Sequence, residues 1–127
     1  MEVKFYLGIG DNTYLMENQS KYIKGTFYVD GYGSAERQVL IFNLDLDFTK
    51  VTKLGFANYM DYYVKEVHTY TDEEKEEGQQ DEEIIYKQDY DMFCGYIKNA
   101  NGKGSVIMTK LTDIELQNKM IEDLLEV

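Results

Sequence analysis

Apolar and polar residues alternate over several stretches of the chain, which is the pattern of half-buried β-strands. The first stretch covers 3–9, and one of its faces carries Val3, Phe5, Leu7 and Ile9. Residues 13–25 match neither the strand period nor the helix period. We therefore predict a first strand followed by a loop with at most one turn of helix.

Two further alternating stretches with glycines between them predict a β-hairpin. Its strands are Thr26–Tyr32 and Gln38–Phe48, and its turn is Gly33–Arg37. One face of the second strand is apolar throughout: Leu40, Phe42, Leu44, Leu46 and Phe48. The other face changes from apolar to acidic: Val39, Ile41, Asn43, Asp45 and Asp47. We expect the first half of this strand to be covered on both sides and its second half to face water.

The middle of the chain predicts a second, longer hairpin. Thr49–Tyr70 contains both periods, and the β-branched and aromatic run in its later part favours a strand. Ile84–Ile97 predicts one long strand. Folding the chain back around Glu77 gives a register that places Lys65 opposite Asp89, a favourable pair of charges.

The end of the chain predicts a short hairpin and then a helix. Asn99–Gly104 is a turn sequence that leads into an apolar stretch, Ser105–Leu111. Thr112 and Glu115 have the spacing of a capping box. An apolar stripe at helical spacing follows them: Leu116, Met120, Ile121, Leu124 and Leu125. We expect the stripe to cover a sheet face, so that replacing a buried leucine in it with alanine costs about 2–4 kcal/mol.

Together these elements predict an α+β fold. The expected architecture is a mainly antiparallel sheet of about five to six strands with the C-terminal helix packed on one face. A chain of 127 residues has the size of one domain, and it contains no proline that would indicate a linker. We therefore expect residues 1–127 to form a single domain with an acidic hairpin tip at 72–83.

Charge is distributed unevenly along the chain. The net charge is −11, and the twelve residues 72–83 hold eight carboxylates and one lysine, which is −7 of that total. The acidity argues against direct binding to nucleic acid or to an anionic membrane, because both require clustered Lys and Arg. The only arginine is Arg37, whereas bidentate recognition of phosphate relies mainly on arginine side chains. A basic surface on another protein is the expected partner.

The carboxylates of 72–83 are the predicted partner-binding residues: Asp72, Glu73, Glu74, Glu76, Glu77, Asp81, Glu82 and Glu83. Carboxylates on a rigid edge can compete for the Lys and Arg side chains that normally hold phosphates. Two alternatives stay open for this segment. It is either a solvated loop, which is the usual state of a block of like charges, or a divalent-cation site.

Two pairs of aspartates are weaker candidates for a metal site. Asp45 with Asp47, and Asp89 with Asp91, each place two carboxylates on one face of a predicted strand, as a two-metal phosphoryl-transfer site requires. Alternation on a solvent-facing strand produces the same spacing. We predict no metal site and no cofactor, and these four residues remain the candidates if the protein is a metal-dependent enzyme.

The other chemically reactive residues give no catalytic signature. His68 and Cys94 are each the only residue of their kind, which excludes a zinc site of the usual Cys/His composition. The predicted hairpin also keeps the two apart, which argues against a catalytic dyad. The glycines of Gly8–Gly10 and Gly102–Gly104 lack the further glycines of dinucleotide and phosphate loops. We predict that the protein is not an enzyme.

The expected compartment is the cytoplasm. A single cysteine cannot form an internal disulfide, and a free thiol is typical of a reducing compartment. The first ten residues lack the basic and apolar regions of a signal peptide, and no apolar run is long enough to cross a membrane.

Aromatic residues suggest a second type of surface. The chain has twelve tyrosines and six phenylalanines. Tyrosine is enriched in protein interfaces and also suits a half-buried sheet, so an adhesive stripe and a simple sheet covering are both open. The tyrosines concerned are Tyr59, Tyr62, Tyr63, Tyr70, Tyr86, Tyr90 and Tyr96.

The leading hypothesis is a non-catalytic interaction protein whose acidic tip binds a basic, nucleic-acid-binding surface. The small size, strong acidity and abundant Lys, Asn and Tyr resemble the composition of phage or mobile-element proteins that block host defence nucleases. This resemblance implies an inhibitor that mimics nucleic-acid charge in the host cytoplasm, and it assigns no site residue. The alternative is a structural or assembly protein, such as a virion component, that uses the tyrosine-rich sheet. A carboxylate-dependent metal enzyme is the third hypothesis.

Overall fold

The computed structural model describes residues 1–125. The last two positions of the predicted domain, 126–127, lie outside the described residues. Strands and helices follow one another in this order: β1 (Glu2–Ile9), β2 (Asn12–Leu15), β3 (Lys21–Val29), β4 (Gly33–Asp47), α1 (Phe48–Val51), β5 (Tyr63–Thr69), α2 (Asp72–Glu76), β6 (Glu82–Lys87), β7 (Met92–Lys98), β8 (Lys103–Thr109) and α3 (Asp113–Leu125).

The strands form two antiparallel sheets of four strands each. The first sheet has the order β2-β1-β5-β6, and the second has the order β3-β4-β8-β7. A bridge between Met16 and Leu44, next to a hydrogen bond from the Glu17 N–H to the Asn43 carbonyl oxygen (2.8 Å), joins them. The predicted α+β class with mainly antiparallel strands is confirmed, with eight strands in two sheets rather than five or six in one.

The core lies where the two sheets face each other. Leu7 of β1 and Val64 of β5 come from the first sheet, and the apolar face of β4 comes from the second. Buried residues of this core include Leu40, Phe42, Leu44, Val106 and Met108. The apolar face that the sequence predicted for the second strand of the first hairpin is therefore covered by the other sheet, because two sheets with apolar inner faces can bury each other.

The first predicted hairpin is confirmed with longer strands and an earlier turn. The chain turns at 30–32, where Gly31 inside the turn and Gly33 directly after it have positive φ of 85° and 82°, so 33–37 belongs to β4. As predicted for the strand 38–48, no residue over 39–44 is exposed on either face, and Asp45 and Asp47 are exposed. The earlier part of β4 is exposed on one face, at Ser34, Glu36 and Gln38. The prediction of a loop at 13–25 is wrong, because β2 and the start of β3 lie there as edge strands, whose exposed outer side weakens the alternating pattern.

The single long strand predicted at 84–97 is wrong. It is two strands in different sheets, β6 and β7, and the chain crosses between the sheets at 88–91. The crossing is anchored in the core, since the buried Tyr62 hydroxyl donates to the carbonyl oxygen of Tyr90 at 2.7 Å. The predicted register is also wrong by four residues. Lys65 lies opposite Ile85 and pairs with Glu83 at 3.1 Å instead of with Asp89.

The C-terminal helix is confirmed, and its capping box is present. The Thr112 N–H donates to the Glu115 carboxylate at 2.9 Å, and the Glu115 N–H donates to the Thr112 hydroxyl at 3.3 Å. The expectation that the helix covers a sheet face is wrong, because none of its described residues is buried. Leu124 is 73% exposed.

Among the described residues, the helices are all too short or too polar to cross a membrane.

Candidate functional site

The acidic segment 72–83, called the acidic tip below, begins with a short helix. Thr71 caps α2: its hydroxyl accepts from the Glu74 N–H at 3.2 Å, and the Glu74 carboxylate accepts from the Thr71 N–H at 3.2 Å. Three acidic residues occupy the first turn, where the helix dipole favours negative charge. The tip therefore connects β5 to β6 through a capped turn of helix.

Internal partners hold three of the eight carboxylates of the tip. Asp81 accepts from the Tyr70 N–H at 2.9 Å and pairs with Lys75 at 3.3 Å. The hydrogen bond from the Tyr70 N–H lowers the pKa of Asp81 below its usual value, and the ammonium of Lys75 lowers it further. Glu83 pairs with Lys65 at 3.1 Å, and Glu74 bonds to the N-terminal ammonium at 2.7 Å. These contacts fix the ends of the tip relative to β5.

The other five carboxylates of the tip are exposed and have no ion pair within residues 1–125: Asp72, Glu73, Glu76, Glu77 and Glu82. Four of them lie on or directly beside α2, and the fifth begins β6. Exposed charges of one sign that lie close together create a potential of several kT that attracts a basic partner. These five residues are the part of the predicted partner-binding site that has no internal ion pair.

The structure does not bring the four metal-candidate aspartates together. Asp45 and Asp47 lie at the end of β4, where Asp45 forms an ion pair with Lys103. Asp89 and Asp91 lie in the crossing between the sheets, and Asp89 pairs with Lys110 at 3.6 Å. Within the described residues, no three His, Cys, Asp or Glu side chains are grouped closely enough to hold a metal ion.

His68 and Cys94 lie in different sheets and do not form a dyad. His68 is on β5, and its Nε2 is 2.6 Å from a Glu66 carboxylate oxygen. Cys94 is on β7, half-buried against a small apolar cluster that contains Met92 and Leu111, and this burial raises the pKa of its thiol. A raised pKa makes the reactive thiolate scarcer, so Cys94 packs as a small apolar residue.

The seven tyrosines of the predicted stripe do not form one exposed surface. Tyr62 and Tyr90 are buried, and Tyr59 and Tyr86 are the two that are largely exposed. Tyr59 lies before β5 begins, and Tyr86 lies on the edge strand β6. The residues that sequence alone grouped into a stripe are thus divided between the core and separate parts of the surface.

A second surface feature, which the sequence prediction missed, is the way α3 is attached. Arg37 on β4 is buried, and its guanidinium donates to the carbonyl oxygens of Phe27 (3.1 Å) and Gly33 (3.0 Å). It also donates two hydrogen bonds to the carboxylate of Glu115, one of them at 2.6 Å. This bidentate contact holds the pKa of Glu115 below its usual range.

One turn further along α3, Lys119 makes the next contact with the body. Its ammonium donates to the Tyr59 hydroxyl at 2.8 Å and lies 4.5 Å from the centre of the Tyr59 ring. The Tyr59 hydroxyl is also 3.0 Å from that of Tyr32. Tyr59 has a φ of 65°, a conformation that costs free energy for a residue with a side chain, and these contacts hold it there.

The apolar stripe of α3 consequently points away from the body. Glu115, Asn118, Lys119 and Glu122 line a cleft against Gly31 and Tyr32, so the polar side of the helix is the side that faces the protein. The opposite side, called the outward face below, consists of Ile114 (70% exposed), Leu116 (45%), Met120 (65%), Ile121 (55%), Leu124 (73%) and Leu125 (80%). Sequence analysis found the stripe but gave no signal of its direction, because the partner Arg37 lies 78 residues away.

No protein-family model, curated protein or solved structure matches this chain. What the protein binds is therefore inferred from its own charges and exposed side chains. Two surfaces qualify, the acidic tip and the outward face of α3.

Proposed function

We propose that the protein is a non-catalytic interaction protein whose acidic tip binds a basic, nucleic-acid-binding surface of another protein. The binding would block that surface by presenting carboxylates where phosphates normally lie. An inhibitor encoded by a phage or mobile element and directed at a host defence protein is the biological setting we infer. The proposed place of action is the cytoplasm.

The concentration of charge is the observation that carries this proposal. The tip holds −7 of the net charge of −11. Seven of its eight carboxylate residues are exposed, and five have no ion pair within the described part of the chain. A solvated loop would carry similar charge with its carboxylates in no defined arrangement. The capped helix and the contacts of Asp81 instead hold the carboxylates of the tip in defined positions.

The only arginine contributes no positive charge to the surface, which leaves the surface acidic. Arg37 is buried and bonded to Glu115, so its charge is not available to phosphate or to an acidic partner. The positive charge at the surface comes from lysines, several of which are paired with carboxylates, such as Lys65, Lys75 and Lys103. A basic partner therefore meets a surface dominated by free carboxylates.

Affinity capture from a host-cell lysate, followed by mass spectrometry, tests the proposal by naming the partner. The test variant replaces Glu73, Glu76, Glu77 and Glu82 with Gln, which removes four unpaired charges and leaves the internal contacts of the tip intact. The matched control removes the same charge elsewhere on the surface, by D11N, D30N, E36Q and D61N. We expect the parent and the control to capture a nucleic-acid-binding protein and the tip variant to lose most of it.

Kinetics with the captured partner give the sharper measurement. Because exposed charges steer association, the tip variant should associate about tenfold or more slowly at about 50 mM salt, and the parent should weaken steeply as salt rises. Nucleic acid should compete with the parent for the partner. If the tip variant binds as fast and as tightly as the parent at low salt, the acidic tip is not the binding site.

The second candidate function is a structural or assembly role, and the observation that favours it is the outward face of α3 rather than the tyrosines. Six large apolar side chains on one helix face are exposed together, and exposed apolar patches of this kind mark protein interaction sites. Sedimentation equilibrium separates the two roles. Assembly predicts association of this chain with itself that increases with protein concentration, whereas an inhibitor remains monomeric until its partner is added.

A further inference from the structure

The outward face of α3 is exposed because of how the helix is held. Its six apolar residues are 45–80% exposed. Rotating the helix to bury them would remove Glu115 from the buried Arg37 and Lys119 from Tyr59. Leaving a buried guanidinium without its carboxylate is strongly destabilising. The contacts of the polar side therefore keep the apolar side available to another molecule.

The width of the outward face indicates the shape of what covers it. At about 100° per residue, its six residues span about 180° of the helix circumference. A second helix packed in a coiled coil covers only a narrow seam, whereas a groove with two walls covers a face of this width. The geometry therefore favours a helix-in-groove contact over pairing with one other helix.

The charge around the outward face indicates the chemistry of the groove. The described helix carries four carboxylates and one lysine, a net −3, on a chain of net −11. A second copy of the chain would bring the same charges to the contact, and like charges opposite each other oppose association. A groove with Lys or Arg along its rim would instead pair with Asp113 and Asp123, which at about 100° per residue lie on or beside the outward face.

We propose that the outward face of α3 docks in an apolar groove of a partner protein whose rim is basic. The basic character of this partner rests on the proposed function; the apolar contact rests on α3 alone. The two surfaces are separate, because Tyr59, which Lys119 contacts, precedes β5, and the acidic tip follows it. The seven residues of β5 are about 20 Å long. The two surfaces can therefore be altered by separate substitutions.

Synthetic peptides of known chemistry test the proposal directly. The probe is a peptide of two linked amphipathic helices of leucine and lysine, which presents an apolar groove with a lysine rim, and its counterpart has glutamate in place of every lysine. The test variant is I121Q with L124Q, which removes two exposed apolar side chains and retains residues that favour a helix. The matched control is I23Q with I85Q, which removes two exposed isoleucines from edge strands, 44% and 59% exposed. Circular dichroism checks that each variant folds.

We expect the parent and the control to bind the leucine–lysine peptide and the test variant to bind it about tenfold or more weakly, because two apolar contacts are lost. The leucine–glutamate peptide should not bind. Equal binding of the leucine–lysine peptide by the parent and the test variant would overturn the proposal. So would a parent dimer that I121Q with L124Q converts to a monomer, since a second copy would then cover the face.

An oligolysine peptide separates this proposal from the proposed function. It has no leucine, so it reports on charge alone. Weaker oligolysine binding by the tip variant than by the parent supports the acidic tip as a basic-partner site. Equal oligolysine binding contradicts the tip, and the inference about α3 still stands if the leucine–lysine peptide requires Ile121 and Leu124.

Discussion

At the scale of single residues, Arg37 and Glu115 determine more of the molecule than any other pair. The Arg37 side chain is 0% exposed, and that of Glu115 is 13% exposed. The guanidinium donates four hydrogen bonds, two to backbone carbonyl groups and two to one carboxylate. The pair ties the last helix to the first part of β4, and it decides which side of that helix faces outward.

We predict that Glu115→Gln lowers the free energy of unfolding by about 3–5 kcal/mol, because it leaves a buried charge without its partner while glutamine can still complete the capping box. Chemical denaturation at neutral pH measures the loss. The matched control is Glu122→Gln, the same change at an exposed position of the same helix, which should stay within about 0.5 kcal/mol. An equally small loss for both variants would show that the pair does not anchor α3.

The same pair predicts a pH dependence. The pKa of Glu115 is lowered in the folded protein, first by its hydrogen bond to Arg37. Its contribution is therefore complete above the unfolded value of about 4.3 and is lost as the pH falls through the lower folded value. The stability difference between the parent and Glu115→Gln should shrink on acidification below that range. A difference that stays constant down to the lowest accessible pH would contradict the lowered pKa.

A glycine gives the other prediction at this scale. A Cβ on Gly104 would lie 2.8 Å from the Cβ of Val51 and 3.1 Å from the Cα of Phe48, so α1 packs directly on this part of β8. Gly104→Ala should cost about 1–3 kcal/mol, because the backbone must move. In Gly25→Ala, the control, the Cβ meets only the flexible ring of Phe27 at 3.2 Å, and the change should be small. Thermal denaturation of both variants compares them.

At the scale of elements, the sequence predicted what depends on local patterns. The alternation in β4, the turn before β8 and the capping box of α3 each depend on neighbouring residues, and each is confirmed. The errors concern distant partners. The crossing that divides 84–97 between two sheets is anchored by the hydrogen bond from the Tyr62 hydroxyl to the Tyr90 carbonyl oxygen, 28 residues away, and no local period contains that information.

The helix α3 shows the same limit most clearly. An apolar stripe normally predicts a buried helix face. Here the face of β4 that needed a cover, with Leu40 and Phe42, is already buried by the first sheet. The sequence could not show this because it predicted a single sheet, which would have required the helix as its cover.

We predict that Leu124→Ala changes the free energy of unfolding by less than about 0.5 kcal/mol, since this side chain is 73% exposed. Phe42→Ala, at a position that is 0% exposed, should cost about 3–5 kcal/mol. Chemical denaturation of the two variants makes the comparison. A loss of about 2–4 kcal/mol for Leu124→Ala would mean that α3 packs on the body through its apolar side.

At the scale of the whole molecule, charge was the most predictable property. The position and sign of the acidic tip follow from the sequence alone, and in the structure all of its residues except Glu74 are exposed. The sequence did not predict that three of the tip's carboxylates have internal partners and that five have no ion pair. This division depends on the pairing of Asp81 with Tyr70 and Lys75, of Glu83 with Lys65, and of Glu74 with the N-terminal ammonium, none of which a local pattern predicts.

The last prediction concerns how this charge affects stability. Like charges confined to one segment repel each other, and folding of β5 against β6 brings the carboxylates of the tip together. Salt screens exposed charges over about 10 Å at 0.1 M, and it affects the buried contact of Arg37 much less. The melting temperature of the parent should therefore rise as salt increases.

The variant with Gln at 73, 76, 77 and 82 should melt at a slightly higher temperature than the parent at low salt, and its melting temperature should change less with salt. The charge-matched control, with changes at 11, 30, 36 and 61, should respond to salt like the parent. A parent that salt destabilises would show that attractive surface pairs, not repulsion in the tip, dominate its electrostatics.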